Sequence, residues 1–151
     1  MGDLRELYQE VILDHGRHPR HFGKLAFATH SKEGYNPLCG DQITLYVEEN
    51  AGVLTNIRFE GCGCAISMAS SSLMAESLQG QTKVTAMEMF QLFHQLVTNG
   101  LLTEIQLERL GKLKVLQGVL EFPLRVKCAT LAWHTLNAIL NNDTTTVSTE
   151  S

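Results

Sequence analysis

The first part of the chain carries hydrophobic side chains at the spacing of an α-helix. They fall at Leu4, Leu7, Tyr8, Val11 and Ile12. Such a stripe predicts an amphipathic helix with one face on a core. The helix is expected to end near His15-Gly16.

Alternation of hydrophobic and polar residues then takes over, which is the pattern of a half-buried β-strand. One alternating run covers Ile43–Val47, and a second covers Val53–Phe59 after a turn at Asn50-Ala51-Gly52. The two runs predict an antiparallel hairpin. A third strand is expected around Leu25–His30, where the alternation is weaker.

After Cys64 the hydrophobic residues return to helical spacing, and this spacing recurs as far as residue 139. One stripe covers residues 66–78, a second covers 87–97, and a last one covers 128–139. Thr103, with Gln106 three positions on, forms the sequence pattern of a capping box, which predicts the start of a further helix. Pro123 is expected to interrupt the chain before the last stripe.

Strands followed by a run of helices indicate a single α+β domain, with a small antiparallel sheet of about three strands packed against helices. The length of 151 residues and the hydrophobic content of 44% suit one domain with its own core. The domain is predicted to cover residues 1–140. The polar, threonine-rich tail over residues 141–151 is predicted to be disordered.

Charge and hydropathy exclude several classes of partner. The net charge is −4 and the basic residues are scattered, which argues against nucleic acid or a membrane surface as the partner. There is neither a leader pattern at Met1 nor an apolar run long enough to span a bilayer. We therefore expect a cytoplasmic protein, whose four cysteines bind metal or react rather than form disulfides.

Three cysteines and one aspartate form the most informative pattern in the chain. They are Cys39, Asp41, Cys64 and Cys128. Thiolates and carboxylates bind zinc or iron, and four such ligands complete a tetrahedron. Cys39 lies in a turn before a strand, while Cys64 and Cys128 fall at the predicted N-termini of helices, where unpaired N–H groups favour a thiolate. Exposed ligands at the ends of elements suit a site that exchanges its contents.

Glycines and basic residues lie next to these cysteines in the sequence and are expected to affect the site. Gly40 and Gly63 are expected to let the backbone approach a metal closely, because a glycine has no Cβ. Arg125 and Lys127 precede Cys128, and positive charge there is expected to lower the pKa of its thiol.

Three histidines near the end of the first helix form a second candidate cluster, at His15, His18 and His21. Pro19 breaks the helical phase that would bring them together, and Arg17 and Arg20 would repel a cation. The block 14–23 is therefore predicted to be a solvated, partner-facing loop rather than a metal site.

The cysteine contexts Asn36–Asp41, Gly63–Ser70 and Phe122–Ala129 resemble those of the IscU/NifU-like iron–sulfur cluster assembly family, and they occur in the family's order. The resemblance extends over residues 4–140. Lys127, at a position where IscU proteins carry histidine, makes the chain most similar to the SufU-type branch. An additional segment ending in Leu116-Gln117-Gly118 points the same way.

This resemblance implies a fold of the SufE/IscU kind and a Zn²⁺ ion held by the four residues named above. It also implies a zinc-dependent sulfur acceptor that takes persulfide from a pyridoxal-phosphate cysteine desulfurase of the SufS type. Docking would displace one zinc–cysteine bond, with Cys39 as the expected acceptor, and no independent turnover is expected. The implied active region also contains Arg125 and Lys127, the former as a candidate for orienting the partner or the thiolates.

Two other interpretations use the same ligands. A scaffold would assemble iron or a [2Fe–2S] cluster on them and pass it to a downstream acceptor, and spacing alone does not separate this role from sulfur transfer. A zinc-stabilised interaction domain would instead hold its ligands in a closed site. Cys62 departs from the family pattern and is expected to be a passive neighbour of Cys64, with a spare ligand or a disulfide partner as the alternative.

Overall fold

The computed structural model describes residues 3–142 and 147–148. This part of the chain forms five α-helices, one 3₁₀ segment and a sheet of four strands. In chain order the elements are α1 (Asp3–Arg17), β1 (His30–Asn36), β2 (Asp41–Asn50), β3 (Val53–Cys62), α2 (Ala65–Leu78), α3 (Lys83–Thr98), α4 (Glu104–Leu110), the 3₁₀ segment (Gly111–Glu121), α5 (Pro123–Leu140) and β4 (Val147–Ser148).

The sheet has the strand order β3-β2-β1-β4. β1, β2 and β3 pair antiparallel, and β4 adds two residues parallel to β1, through Gly34 with Val147 and Tyr35 with Ser148. The predicted α+β fold with an antiparallel sheet of about three strands is confirmed. Most of the predicted disordered tail, including residues 143–146, lies outside the described residues, so that its disorder stays a prediction.

The hairpin follows the predicted alternation with one interruption. Ile43, Leu45 and Val47 are fully buried, as expected. In β3 the buried residue near the turn is Leu54, because the register shifts opposite Glu48 and Glu49 and the alternation changes phase there.

The third strand begins later than predicted, at His30 rather than near Leu25. Its sequence is polar, so hydrophobic alternation does not mark it. β1 is held instead by its ladder with β2 and by close packing on α5, where a Cβ at Gly34 would collide with Thr135. Because β1 ends at Asn36, this strand delivers the turn that carries Cys39.

Helix α2 lies between α1, α5 and β3 and is buried along most of its length. Ser72 Oγ hydrogen bonds to His15 Nδ1 of α1 at 2.7 Å. Ser70 Oγ donates to the carbonyl oxygen of Ala129 at 2.5 Å and accepts from Trp133 Nε1 at 3.2 Å. Buried serines therefore fix both flanking helices to α2, including the turn of α5 that carries Cys128.

Helices α3 and α4 and the 3₁₀ segment contribute further buried residues to the core. The predicted capping box is confirmed, since Gln106 N donates to Thr103 Oγ1 at 3.2 Å and Thr103 N to Gln106 Oε1 at 3.0 Å. The 3₁₀ segment packs against α1, α2, α3 and α5. Among the described helices, none is both long and apolar enough to cross a membrane.

Candidate metal centre

Three of the four predicted ligands meet in the structure. The candidate ligand atoms of Cys39, Asp41 and Cys128 all lie within 4.8 Å of one another. The Sγ atoms of Cys39 and Cys128 are 3.4 Å apart. The three residues come from the β1–β2 turn, the start of β2 and helix α5, so the tertiary fold assembles a site that no single segment contains.

The β1–β2 turn sets the position of Cys39. The carbonyl oxygen of Asn36 accepts hydrogen bonds from Cys39 N at 3.3 Å and Gly40 N at 2.9 Å. Gly40 has φ of +74°, a region that favours glycine, and a Cβ there would meet no other atom within 4 Å. The positive φ explains a glycine at this turn, and the predicted close approach of the Gly40 backbone to a metal stays a prediction.

Asp41 is almost completely buried, with 1% of its surface exposed. Its Oδ1 accepts a 2.9 Å hydrogen bond from Cys64 N, and its Oδ2 has no hydrogen-bond partner within the described part of the chain. A Cβ at Gly63 would lie 2.5 Å from Oδ1, so the glycine makes room for the carboxylate. A buried oxygen without a partner is costly, and a cation among the thiols would satisfy it. The residues therefore fit a thiolate-bound metal.

Cys64 is the N-cap residue of α2, as predicted, and its exposed Sγ accepts from Ser67 N at 3.5 Å. Its sulfur is not one of the three clustered ligand atoms. Cys64 lies beside them because its own N–H binds Asp41.

The prediction for Cys128 is wrong in two respects. Pro123 occupies the first position of α5 and starts that helix, so that Cys128 lies in its second turn and is only 2% exposed. The pKa of its thiol is raised, first by burial and then by the neighbouring Asp41 carboxylate and Cys39 thiol. Burial and these two neighbours therefore outweigh any lowering of this pKa by the positive charge of Arg125 and Lys127.

A cavity of about 1090 Å³ opens next to the cysteines. Its walls come from α1, the start of α2, the 3₁₀ segment and the start of α5. Cys39, Cys64 and Cys128 line it, as does Arg125, whose guanidinium lies 4.8 Å from the centre of the Phe122 ring. Lys127 is half-buried and does not belong to the lining formed by the described residues.

Cys62 is exposed at the end of β3, where it pairs with Gln42. Its sulfur does not belong to the three-ligand group. Its predicted role as a passive neighbour stays a prediction.

The histidine block differs from the prediction at one residue. His15 belongs to α1 and is 2% exposed, because its ring packs against α2 and hydrogen bonds to Ser72. Burial lowers the pKa of this ring. His18 is exposed, and His21 is half-buried in the following loop. The predicted solvated loop is thus wrong for His15, which is a core residue.

Sequence reasoning missed the contact of Asn36 with the candidate site. It is fully buried, and its Nδ2 lies 3.6 Å from Cys128 Sγ. An asparagine followed by proline is a known turn signal, but the contact with a cysteine 92 positions away could not be read from it.

Comparison with known proteins gives consistent results. Residues 7–129 match the NifU-like N-terminal domain family. The chain is 39% identical to the zinc-dependent sulfurtransferase SufU of Bacillus subtilis over 135 residues, covering 89% of this chain and 90% of the relative. It is also 39% identical to the iron–sulfur cluster assembly scaffold protein IscU of Streptococcus pyogenes, covering 90% of this chain and 84% of that protein.

Solved structures show the same relationship. A protein described as an iron–sulfur cluster assembly scaffold for the SUF system of Fervidobacterium islandicum superposes with a TM-score of 0.82 at 35% identity, over 90% of this chain and 98% of that one. The N-terminal part of a NifU-like protein from Brucella abortus shares the fold, with a TM-score of 0.80 at 24% identity over 91% of this chain and 94% of the other.

Proposed function

Because the chain belongs to the NifU-like N-terminal domain family, we propose that it acts in iron–sulfur cluster biogenesis as an acceptor and carrier of sulfur. The proposed donor is the persulfide of a pyridoxal-phosphate cysteine desulfurase of the SufS type. The sulfur then passes to a downstream scaffold or acceptor protein in the cytoplasm. The similarity to a zinc-dependent sulfurtransferase supports this proposal.

The observation that carries the proposal is the position of Cys39. Its thiol is exposed and lines the cavity, while its sulfur lies 3.4 Å from that of the buried Cys128. A thiol in this position can join a metal site and still face an incoming group. Cys128 is buried and Cys64 caps a helix, so that Cys39 is the ligand with the greatest freedom to leave.

The proposed chemical step is a thiol–persulfide exchange. The Cys39 thiolate attacks the outer sulfur of the donor persulfide, the sulfur–sulfur bond of the donor breaks, and the donor cysteine leaves as a thiolate. Cys39 then carries the persulfide. No external oxidant or reductant is needed, because one sulfur–sulfur bond replaces another.

We infer that the resident metal is Zn²⁺, with Cys39, Asp41, Cys64 and Cys128 as its ligands. The orphaned Oδ2 of Asp41 and the clustered thiols support this inference. When bound, zinc would keep the thiols deprotonated until they are used.

We assign Arg125 to the docking of the partner. It lines the cavity one helical turn before Cys128, with its guanidinium beside Phe122. In this position its charge can guide an incoming negatively charged persulfide. Lys127 remains a second candidate for this electrostatic role, from a half-buried position outside the cavity lining.

The test is incubation of the zinc-loaded protein with free cysteine and a SufS-type desulfurase. The protein should speed cysteine turnover and gain the mass of one sulfur atom. Cys39→Ala should abolish both effects, whereas Cys62→Ala, which removes another exposed thiol, should keep both. A wild-type protein that gains no sulfur and stimulates no desulfurase would refute the proposal.

The scaffold role is the second candidate, and it is favoured by the similarity to IscU of Streptococcus pyogenes. Three thiolates and one carboxylate can also hold a [2Fe–2S] cluster. Anaerobic purification distinguishes the two candidates. A coloured protein that transfers its cluster to a metal-free acceptor supports the scaffold, and a colourless protein with stoichiometric zinc supports the sulfur carrier.

A further inference from the structure

The side chain of Asn36 contacts two separate parts of the metal centre. Its Nδ2 lies 3.6 Å from Cys128 Sγ on α5, and its Oδ1 accepts from Leu38 N in the β1–β2 turn at 3.3 Å. We propose that Asn36 is a positioning residue that sets the metal affinity of the site, by holding Cys128 Sγ in register with the turn that carries Cys39.

The orientation of the amide is fixed by its surroundings. Leu38 N can only donate a hydrogen bond, so the atom facing it must be the carbonyl oxygen Oδ1. The NH₂ group therefore faces Cys128 Sγ and donates to it. Asn36 is fully buried, which leaves no solvent to replace this donor if it is removed.

An amide donor suits a sulfur ligand in this environment. Three thiolates and one carboxylate carry more negative charge than a divalent cation neutralises, and hydrogen bonds to the ligands spread the excess. Cys64 Sγ and Asp41 Oδ1 each receive a backbone N–H, from Ser67 and Cys64 respectively. Asn36 supplies the equivalent donor to Cys128, and its neutral amide does so without competing with the metal.

This inference rests on the metal site of the proposed function, but its test involves no sulfur transfer. A protein that accepts no sulfur can still show the effect of Asn36 on metal binding, and the reverse also holds. The two proposals therefore fail separately.

Two substitutions separate the thiol contact from the turn. Asn36→Ser keeps an oxygen that can accept from Leu38 N but cannot reach Cys128. Asn36→Asp keeps that acceptor and places a second oxygen against the sulfur. Asn50→Ser is the matched control, because Asn50 is an exposed hairpin residue that binds Thr55.

The measurements are competition for Zn²⁺ with a chromophoric chelator and the absorption spectrum of the Co²⁺-substituted protein. Zinc affinity should fall by about 10- to 100-fold in Asn36→Ser and further in Asn36→Asp. The sulfur-to-cobalt charge-transfer bands should shift in both variants and stay unchanged in Asn50→Ser.

Parental affinity and spectra in both variants would overturn the proposal. Thermal melting of the metal-free proteins supplies a second criterion. If the metal-free variants are unfolded, or if affinity falls only in proportion to their melting temperature, Asn36 is a structural residue of the turn and the proposal is wrong.

Discussion

The backbone N–H of Cys64 donates a 2.9 Å hydrogen bond to Oδ1 of Asp41, 23 positions earlier in the chain. This contact joins the start of α2 to the start of β2. It also occupies one carboxylate oxygen of Asp41, while the buried Oδ2 has no hydrogen-bond partner among the described residues and is the oxygen proposed to bind the cation. The proposed metal contact and the observed hydrogen bond thus use different oxygens of Asp41, and substitutions can separate the two.

Asp41→Asn should release metal faster while the fold persists, because the amide oxygen can still accept from Cys64 but the charge is lost. Asp41→Ala should lose metal as well. Its free energy of unfolding should also fall by about 1 kcal/mol, because the hydrogen bond to Cys64 is lost, and the variant should therefore unfold at a lower urea concentration. Zinc release to a chelator and urea unfolding provide the two measurements. Complete unfolding of Asp41→Asn would identify a structural metal site instead.

Cys64→Ser should reduce bound zinc sharply, although Cys64 stands outside the three clustered ligand atoms. Serine can preserve the N-cap hydrogen bond to Ser67, so helix α2 should remain intact. Metal analysis after purification measures the effect. Cys62→Ser is the control, and an equal loss of zinc from this variant would mean that the ligand assignment is wrong.

Gly63→Ala should weaken metal binding and lower the free energy of unfolding by about 1–3 kcal/mol, because the new Cβ would collide with the buried Asp41 carboxylate. Gly52→Ala is the matched control. Gly52 has φ of +81° in the hairpin turn with open space around it, so its alanine variant should be strained without losing zinc. Titration with zinc and urea unfolding separate the two effects.

The stability of the metal-free protein should fall as the pH drops below about 6.5, the ordinary pKa of histidine. Burial lowers the pKa of His15 in the folded state, so the unfolded state binds more protons in this range and unfolding is favoured. Urea unfolding at several pH values measures the slope. His15→Asn can keep an acceptor for Ser72 and should reduce the dependence of the free energy of unfolding on pH. Burial also lowers the pKa of His134, so this residue should account for the pH dependence that remains in the variant.

The elements that sequence predicted well are those whose signal is local. Alternation marked Ile43–Val47, and the pair Thr103 and Gln106 marked the start of α4. β1 was placed too early, because it owes its position to pairing with β2 and to packing against α5 rather than to its own polar residues. A strand stabilised by its neighbours leaves little periodicity to detect.

In the candidate site, too, some features could be predicted from sequence and others depend on tertiary packing. Cysteine spacing and the family resemblance predicted four ligands. The structure brings three of them together, Cys39, Asp41 and Cys128, and leaves the sulfur of Cys64 outside the group. The burial of Asp41 and Cys128 was not predictable, because it depends on how the sheet and α5 pack together. The contact of Asn36 with Cys128 joins positions that only the tertiary fold brings close.

The short strand β4 has a consequence for the behaviour of the protein in concentrated solution. An uncovered strand edge presents backbone groups that can pair with another molecule and start aggregation. Val147 and Ser148 occupy the edge of β1 at Gly34 and Tyr35, directly before Asn36. A chain cut after Asn142 would expose this edge, and we expect it to self-associate more readily even though every proposed metal ligand is retained.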